Sequence, residues 1–289
     1  MIAESTESRL GASKVPKLEV YLRTCFGASI GMMTLDEGGW RRPMVRLVAP
    51  PAILRDVVEF FWIDEWCDDA MTAHSFRIVA DDAPHILWYL SGDRVLRTQR
   101  LSVAGARAWY HDASLAGRRV MAGARLVPGA IPMLFDVPAH ALTNRSVPLD
   151  SISAATFAAR LRYATRDGLV DDLGGVIEAL RRRRVGDSRA AWIGSQHRGG
   201  STSVATFART FDMAPRSVRA WSHRTLGMGL KRLLKIRRLH GALELRLART
   251  CETWGQAAAA AGYADQPHLV RDCRALLGES PTEFLARPL

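Results

Sequence analysis

The sequence lacks any apolar run that approaches the roughly 18 residues of a membrane-spanning helix, although 48% of its 289 residues are hydrophobic. Residues 1–17 are polar and of mixed charge, unlike the basic cap and apolar stretch of a secretory signal. The four cysteines are scattered, with no close pair at the spacing of metal or redox sites. We therefore expect a cytoplasmic protein without membrane contact, whose reduced cysteines act as small apolar side chains.

Recognisable catalytic motifs are also missing. The chain contains no serine–histidine–aspartate elbow, phosphate-binding loop or dinucleotide fingerprint. Asp64, Asp81 and Asp82 have no partner at a catalytic spacing, which favours solvated turns over carboxylate chemistry. Four histidines in the front half lack the tight spacing of metal ligands, namely His74, His85, His111 and His140. The sequence therefore predicts a protein that is not an enzyme and binds no cofactor and no metal.

Positive charge is present in excess, and most of it lies near the C-terminus. The net charge is +11. Residues 198–289 contain 15 Lys and Arg against 7 Asp and Glu, a net of +8, whereas residues 1–197 have a net of +3. A field of this sign favours a polyanion or an anionic surface as partner. A solvated basic face is the alternative that charge alone leaves open.

The texture of the sequence changes along the chain and predicts an α+β protein. We expect an N-terminal extension over residues 1–39, a β-rich, barrel-like sensor or dimerisation domain over 40–150, a helical segment and linker over 151–200, and an all-α domain over 201–289. The stretch 186–203, which begins inside the third of these segments and ends just beyond it, is rich in Gly, Ser and Arg, which is typical of a linker.

Short apolar stretches separated by Gly, Pro and Asp indicate that the strands of the front half form a barrel or sandwich. These stretches are Val45–Val48, Val57–Ile63, Phe76–Val79, Ile86–Leu90, Val103–Ala106 and Val120–Leu126. Periodicity alone does not decide whether Val57–Ile63 is a strand or a helix.

The last third contains an internal repeat, which indicates two copies of one supersecondary unit. The copies are offset by 50 residues before an internal turn and by 51 after it, so that the second turn is one residue longer. The matched residues are Ala208, Asp212, Val218, Gly227 and Leu234 with Ala258, Gly262, Leu269, Gly278 and Leu285. Each copy is predicted to fold as a helix, a short turn and a second helix.

In the first copy, the apolar stripe from Val204 to Phe211 predicts a short helix. After a turn over 212–215, a second helix should run over 215–226 and end at Gly227. At 100° per residue, Arg216, Arg219 and His223 share one face of that helix. Val218 and Trp221 lie on the opposite face, so Trp221 is predicted to be a core residue.

The second copy repeats this design. Thr253 and Gln256 form a predicted capping box, and Asp265 is the predicted N-cap of the second helix. Three residues of that helix should point inward, namely Leu269, Cys273 and Leu276. Arg271 and Arg274 should share the outer face with His268 at its edge, and Gly278 should end the helix before a final capped helix opened by Ser280 and Glu283.

Between the copies, residues 230–249 predict one helix of about 30 Å at 1.5 Å per residue. Successive major-groove faces of B-DNA on one side of the duplex are about 34 Å apart. Two recognition helices joined by such a helix could enter adjacent grooves. Length, repeat and charge thus agree on duplex DNA as the partner.

Three runs of residues carry a family resemblance: FARTFDMAPRSVRAWSHRTLG, RRLHGAL and AAAAAGYADQPHLVRDCRALLGESPTEFL. Residues 200–286 resemble the DNA-binding domain of AraC/XylS transcription regulators. The resemblance implies two helix-turn-helix units joined by a helix, with the second helix of each unit in the major groove. The front half resembles, more weakly, the β-rich sensor domains found upstream of such units, which implies a regulatory or dimerising module.

Carried over by position, the resemblance places these residues at the base-facing sites: Arg216, Arg219, Ala220, Gln266, Pro267, His268 and Arg271. Three departures from the family pattern are Ala214 in place of a serine cap, Gly229-Leu230 in place of Ser-Pro, and Leu269 and Cys273 in place of phenylalanines. None of them removes a charge expected to touch DNA.

The arginines on the outer faces of the two second helices can bind DNA in two ways. Arg219 and Arg271 can each form a bidentate contact with guanine, worth about 1–3 kcal/mol of discrimination. A phosphate contact or mere solvation of the helix is the alternative reading. Phosphate contact is the favoured role of Arg216, Arg274, Lys231 and Arg232, and His223 and His268 are rather expected at the polar rim.

The sequence as a whole predicts a sequence-specific DNA-binding transcription regulator that reads two adjacent major grooves. The resemblance slightly favours an activator. Beyond duplex DNA, the partners left open are a small-molecule effector of the front half, a second copy of the chain and, for an activator, RNA polymerase. Two alternatives remain: an enzyme anchored to DNA by its C-terminal domain, and an architectural DNA binder that needs no ligand.

Overall fold

The computed structural model describes residues 34–36, 39–41, 44–66, 73–91, 98–116, 119–153, 168–181, 186–196 and 202–286. The expected N-terminal extension lies almost entirely outside these residues, as does 154–167 of the expected helical segment. In this described part of the chain, every helix is too short or too polar to cross a bilayer.

Antiparallel strands build the front half. They are β1 (Thr34–Asp36), β2 (Gly39–Arg41), β3 (Met44–Val48), β4 (Val58–Trp66), β5 (Ala73–Ile78), β6 (His85–Ser91), β7 (Thr98–Ala104), β8 (His111–Ala116), β9 (Arg119–Leu126) and β10 (Ser146–Pro148). Six of them form one sheet in the order β10-β7-β6-β9-β4-β3, while β1-β2 and β5-β8 form two separate ribbons. All six predicted apolar stretches overlap strands. Among the described residues, no pairing joins the edge strands β3 and β10 into a closed barrel.

The segment that could have been a strand or a helix is the strand β4. It pairs with β3 on one side and with β9 on the other, so its neighbours in the sheet satisfy its backbone groups. Phe61 and Ile63 on this strand are almost completely buried.

Helix α2 (Leu169–Leu180) covers the sheet, after the short helix α1 (Ile131–Leu134) and 3₁₀ turns at Ala52–Leu54, Ala139–Ala141 and Leu149–Ser151. Leu173 and Ile177 are fully buried and four residues apart, which places them on the one face of α2 that packs into the core. We refer to the described residues 44–181 as the sheet region.

Helices make up the described residues 186–286, which we call the helical region. They are α3 (Ser188–Ser195), α4 (Val204–Thr210), α5 (Pro215–Leu226), α6 (Leu230–Leu247), α7 (Trp254–Ala260), α8 (Gln266–Leu277) and α9 (Pro281–Ala286). Sheet-rich and helical halves confirm the α+β prediction. The four predicted boundary residues of α5 and α8, at 215, 226, 266 and 277, agree with the structure to within one residue.

The interdomain linker predicted over 186–203 contains helix α3. Asp187 caps this helix by accepting the Arg189 N–H at 2.9 Å. The Asp187 carboxylate also accepts the Trp221 Nε1–H at 2.7 Å, and Trp192 contacts the ring of Phe207 edge-on at 5.7 Å. Helix α3 is therefore packed against the helices that follow it.

Candidate nucleic-acid interface

Helices α4 and α5 form the first helix-turn-helix unit around an aromatic core. Phe207 is fully buried and stacks on Trp221 with ring centroids 4.8 Å apart, and Val218 is 2% exposed beside them. Trp221 is 8% exposed, so the prediction that it is a core residue is confirmed. Its ring is not available for stacking on a base.

The opposite face of α5 is open to solvent and carries positive charge. Arg216, Arg219, Ala220 and His223 are all exposed. The N-cap Ala214 makes no side-chain capping bond, as its substitution for serine implies, and Pro215 follows at the first helical position. Because the buried and exposed residues alternate with helical periodicity, packing of Val218 and Trp221 fixes the direction of the arginines.

Helices α7 and α8 form the second unit, with an aliphatic core. Leu269, Cys273 and Leu276 are 0% exposed, and this burial raises the pKa of the Cys273 thiol. The predicted capping box is present, with Thr253 accepting from the Gln256 N–H and Gln256 from the Thr253 N–H. The predicted N-cap is present too, since Asp265 accepts the His268 N–H at 2.6 Å.

The outer face of α8 matches its predicted exposure. Gln266, Pro267, Arg271 and Arg274 are exposed, whereas His268 is half-buried and contacts the edge of the Tyr263 ring at 5.1 Å. This contact holds His268 at the rim of the face. Both recognition helices thus present arginines to solvent while their other side is packed.

The two units have the same backbone in their turns. Asp212 and Gly262, which the repeat matches, are both left-handed, with φ of 47° and 79°. Four residues separate α4 from α5 and five separate α7 from α8, in agreement with the predicted extra residue. Gly227 and Gly278 end the recognition helices with φ of 89° and 81°. The repeat in the sequence is therefore a repeat in structure.

Helix α6 joins the units and is shorter than predicted, at 18 residues or about 27 Å. Lys231 in its first turn is exposed. Arg232 is half-buried and its Nε–H donates to the carbonyl of Ala108 in the sheet region at 2.8 Å. Lys235 forms an ion pair with the buried Asp272 of α8 at 2.6 Å, a contact between α6 and the second unit that the sequence pattern did not reveal.

One residue of the sheet region lies beside the outer face of α5. His140, in the 3₁₀ turn Ala139–Ala141, lines an open cavity of about 490 Å³ together with Arg216, Arg219, Ala220 and His223. His140 is exposed. The sequence pattern indicated only a possible metal ligand at this position, and His140 and Arg216 are 76 positions apart in the chain.

The prediction that Asp81 and Asp82 lie in solvated turns was wrong. They are 3% and 1% exposed and accept hydrogen bonds from one Nη atom of the fully buried Arg125, at 2.7 and 2.8 Å. Arg125 also pairs with Glu59, and Arg237 of α6 donates to Asp82 at 2.7 Å. We call Asp81, Asp82, Arg125 and Arg237 the buried charge cluster.

The carboxylates of this cluster are neutralised by arginines, so their charge does not require a bound metal ion. Oxygen and nitrogen atoms of Asp81, Asp82 and His240 lie within 4.8 Å of one another. Both carboxylates already accept guanidinium hydrogen bonds, which neutralise their charge. Two of the four histidines of the front half have separate partners: His85 is hydrogen-bonded to Asp81, and His111 lies beside Arg107. The side chain of His74 lies outside the described part of the chain.

Comparison with known proteins identifies two regions. Residues 207–287 match the family of helix-turn-helix domains, and residues 46–148 match a domain of unknown function, DUF6597. No curated protein sequence matches the chain. Among solved structures, ToxT from Vibrio cholerae is similar at 10% identity over 79% of this chain and 98% of that chain, with a TM-score of 0.43.

Two further ToxT structures contain ligands. ToxT bound to (E)-4-(8-methylnaphthalen-1-yl)but-3-enoic acid is similar at 8% identity over 83% of this chain and 98% of that chain, with a TM-score of 0.43. ToxT bound to an unsaturated fatty acid is similar at 11% identity over 79% and 95%, with a TM-score of 0.41. Residues 207–287 are thus similar to helix-turn-helix domains of the AraC type, and residues 46–148 are similar to DUF6597.

Proposed function

We propose that this chain is a sequence-specific DNA-binding transcription regulator whose two helix-turn-helix units read adjacent major grooves. One observation carries the proposal: α5 and α8 each pack one side into a core and expose arginines on the other. Helix α6 joins the two units directly, and its length of about 27 Å is about four-fifths of one turn of B-DNA. Arg219 and Arg271 are exposed on these faces, and the 3₁₀ turn Ala139–Ala141 lies beside α5.

Base reading is assigned to Arg219 of α5 and Arg271 of α8. An exposed guanidinium in the middle of a recognition helix can form two parallel hydrogen bonds with guanine O6 and N7. Ala220, Gln266, Pro267 and His268 complete the surface that faces the bases, with His223 at the rim. Arg216, Arg274 and Lys231 are assigned to phosphates. Arg232 would have to release the Ala108 carbonyl before it could join them.

Selection of binding sites from random duplex DNA by the full chain tests this proposal. The expected product is a motif with two information-rich blocks about one helical turn apart. Arg219→Ala should blur one block and Arg271→Ala the other, with a loss of about 1–3 kcal/mol at the base concerned. Arg100→Ala is the matched control, because it removes the same charge from an exposed position on β7.

The outcomes separate the candidate roles. If Arg219→Ala lowers affinity equally on all sequences and reduces the salt slope by about one unit, Arg219 contacts phosphate instead. Enrichment of DNA without any motif would replace the regulator with a non-specific architectural binder.

Regulation by the sheet region is a further part of the proposal. A cavity of about 490 Å³ lies between the two regions and is lined by Arg55, Glu59, Met133, Asp187 and Arg237, among others. A small effector or a second copy of the chain would act there or on the sheet, and would alter the contacts that join the sheet to the helices. We propose activation rather than repression; a reporter downstream of the selected site should then gain transcript when the chain is present.

A further inference from the structure

The sheet region touches the first recognition helix at its C-terminal end. Thr143 Oγ1–H donates to the carbonyl of Gly227, the C-cap of α5, at 2.5 Å. A Cβ atom at Gly227 would lie only 2.8 Å from Thr143 Oγ1 and 3.3 Å from the Ala139 carbonyl oxygen. The absence of a side chain at this cap therefore allows the 3₁₀ turn of the sheet region to approach the helix closely.

The second recognition helix is held at the corresponding end. Ala80 N–H donates to the Leu276 carbonyl at 3.1 Å, and Arg77 Nη1–H donates to the Gly278 carbonyl at 3.4 Å. Arg77 also lies over the Tyr110 ring at 4.5 Å. A Cβ atom at Gly278 would lie 2.5 Å from Arg77 Nη1. At this cap too, the absence of a side chain allows the sheet region to approach closely.

The helix between the units is held at its middle. Arg237 donates to Asp82 at 2.7 Å, and His240 Nε2 lies 3.0 Å from the Ala80 carbonyl oxygen. The next residue, Gly241, is a weak helix former, so α6 would bend most readily there. The two contacts just before Gly241 oppose that bending.

These contacts lead to one inference, which rests on the proposed function. We propose that Arg77, Ala80, Asp82 and Thr143 of the sheet region fix the distance and angle between α5 and α8, and thereby determine the spacing of the two DNA blocks that the chain accepts. One added base pair displaces a block by about 3.4 Å and rotates it by about 35° about the duplex axis. Two recognition helices that are both held against the sheet region cannot follow that change, whereas two that are joined only through α6 can follow it when α6 bends.

The test measures affinity of the full chain for a set of duplexes. They contain the two blocks found by selection, with their separation changed by one base pair at a time in both directions. The wild-type chain should lose at least about tenfold in affinity for each one-base-pair change. In the double variant Arg77→Met, Thr143→Val, which removes the side-chain hydrogen bonds to Gly278 and Gly227, the same change should cost less than about threefold.

Two variants control for charge and hydroxyl loss. Arg181→Met removes an arginine that also contacts a carbonyl and a carboxylate, those of Ile53 and Asp56, but lies wholly within the sheet region. Ser151→Ala removes a hydroxyl bonded to the Pro148 carbonyl. The control pair should keep the wild-type spacing profile. General destabilisation lowers the active fraction equally on every duplex, so it cannot imitate a change in spacing tolerance.

The spacing profile of the cap variant supports or overturns the inference. A spacing profile that is unchanged in the cap variant would overturn the inference and leave the proposed function intact. A uniform gain in affinity at all spacings would overturn it as well, because the contacts would then hold the reader away from DNA. If selection yields no two-block motif, the proposed function and this inference fall together.

Discussion

Arg237 and Asp82 are 155 positions apart in the chain, yet the arginine donates a hydrogen bond of 2.7 Å to the carboxylate and both side chains are almost fully buried. Arg237 also donates to the Gln196 carbonyl at 2.7 Å, beyond the end of α3. One guanidinium therefore joins the sheet region, the segment after α3 and the middle of α6. An ion pair withdrawn from water stabilises the fold only while both partners are present.

Loss of Arg237 should destabilise the whole chain. Arg237→Met leaves Asp82 with Arg125 as its cationic partner, and one oxygen of the buried carboxylate then loses its hydrogen-bond donor. The free energy of unfolding should therefore fall by about 3–5 kcal/mol. Urea unfolding at neutral pH measures this change. Arg100→Met, at an exposed position, should change it by less than about 0.5 kcal/mol. Equal effects of the two substitutions would show that the buried pair contributes nothing specific.

Alanine at the helix caps should separate backbone strain from close packing. Gly227, Gly262 and Gly278 all have φ near +80° to +90°, where alanine costs about 1–2 kcal/mol. A Cβ atom at Gly262 meets nothing within 4 Å, whereas one at Gly227 or Gly278 would meet the sheet region. Gly227→Ala and Gly278→Ala should therefore cost more than Gly262→Ala in thermal or urea unfolding. A common value for all three would indicate that the caps do not contact the sheet region closely.

Acid should weaken the attachment of α3 to the first unit. Burial raises the pKa of Asp187, but hydrogen bonds from Arg189 and Trp221 outweigh it and hold that pKa below its ordinary value of 3.8. A carboxyl with a lowered folded pKa stabilises the fold above its unfolded pKa, and this contribution is lost as the pH falls through the folded pKa. Asp187→Asn should cost about 1–2 kcal/mol at pH 7, since asparagine still caps the helix but makes weaker bonds. The difference from wild type should shrink at pH 3; a difference independent of pH would contradict the assignment.

Charge beside α5 should affect DNA binding directly. His140 borders the outer face of that helix, so the phosphates that flank the groove would pass close to it. His140→Glu should lower affinity for the selected site by about fivefold at low salt, and less at high salt, because the carboxylate repels phosphates and salt screens that repulsion. Ser151→Glu adds the same charge at an exposed position of the sheet region and should have a smaller effect. Equal losses in both variants would place His140 away from the duplex.

Short-range features of this protein could be predicted from its sequence. The capping bonds of Thr253, Gln256 and Asp265 span three residues, and the ends of α5 depend on Pro215 and Gly227 within a single turn. Burial of Trp221 follows from its phase on a helix whose other face is charged. Such features require only local geometry, and the repeat showed one of them twice, since Gly227 and Gly278 end the two recognition helices.

Tertiary structure alone decided where the two halves meet. Asp81 and Asp82 resemble turn residues in the sequence, and only the fold brings Arg125 and Arg237 to them. Residues 188–195 resemble a linker because Gly, Ser and Arg surround them, yet Asp187 reaches Trp221 and holds them as a helix. The sequence determined the two helix-turn-helix units, because their caps and apolar stripes act over one or two helical turns. The chain's long-range packing decided their attachment to the sheet, because ion pairs and close approaches between residues 84 to 201 positions apart leave no periodic pattern.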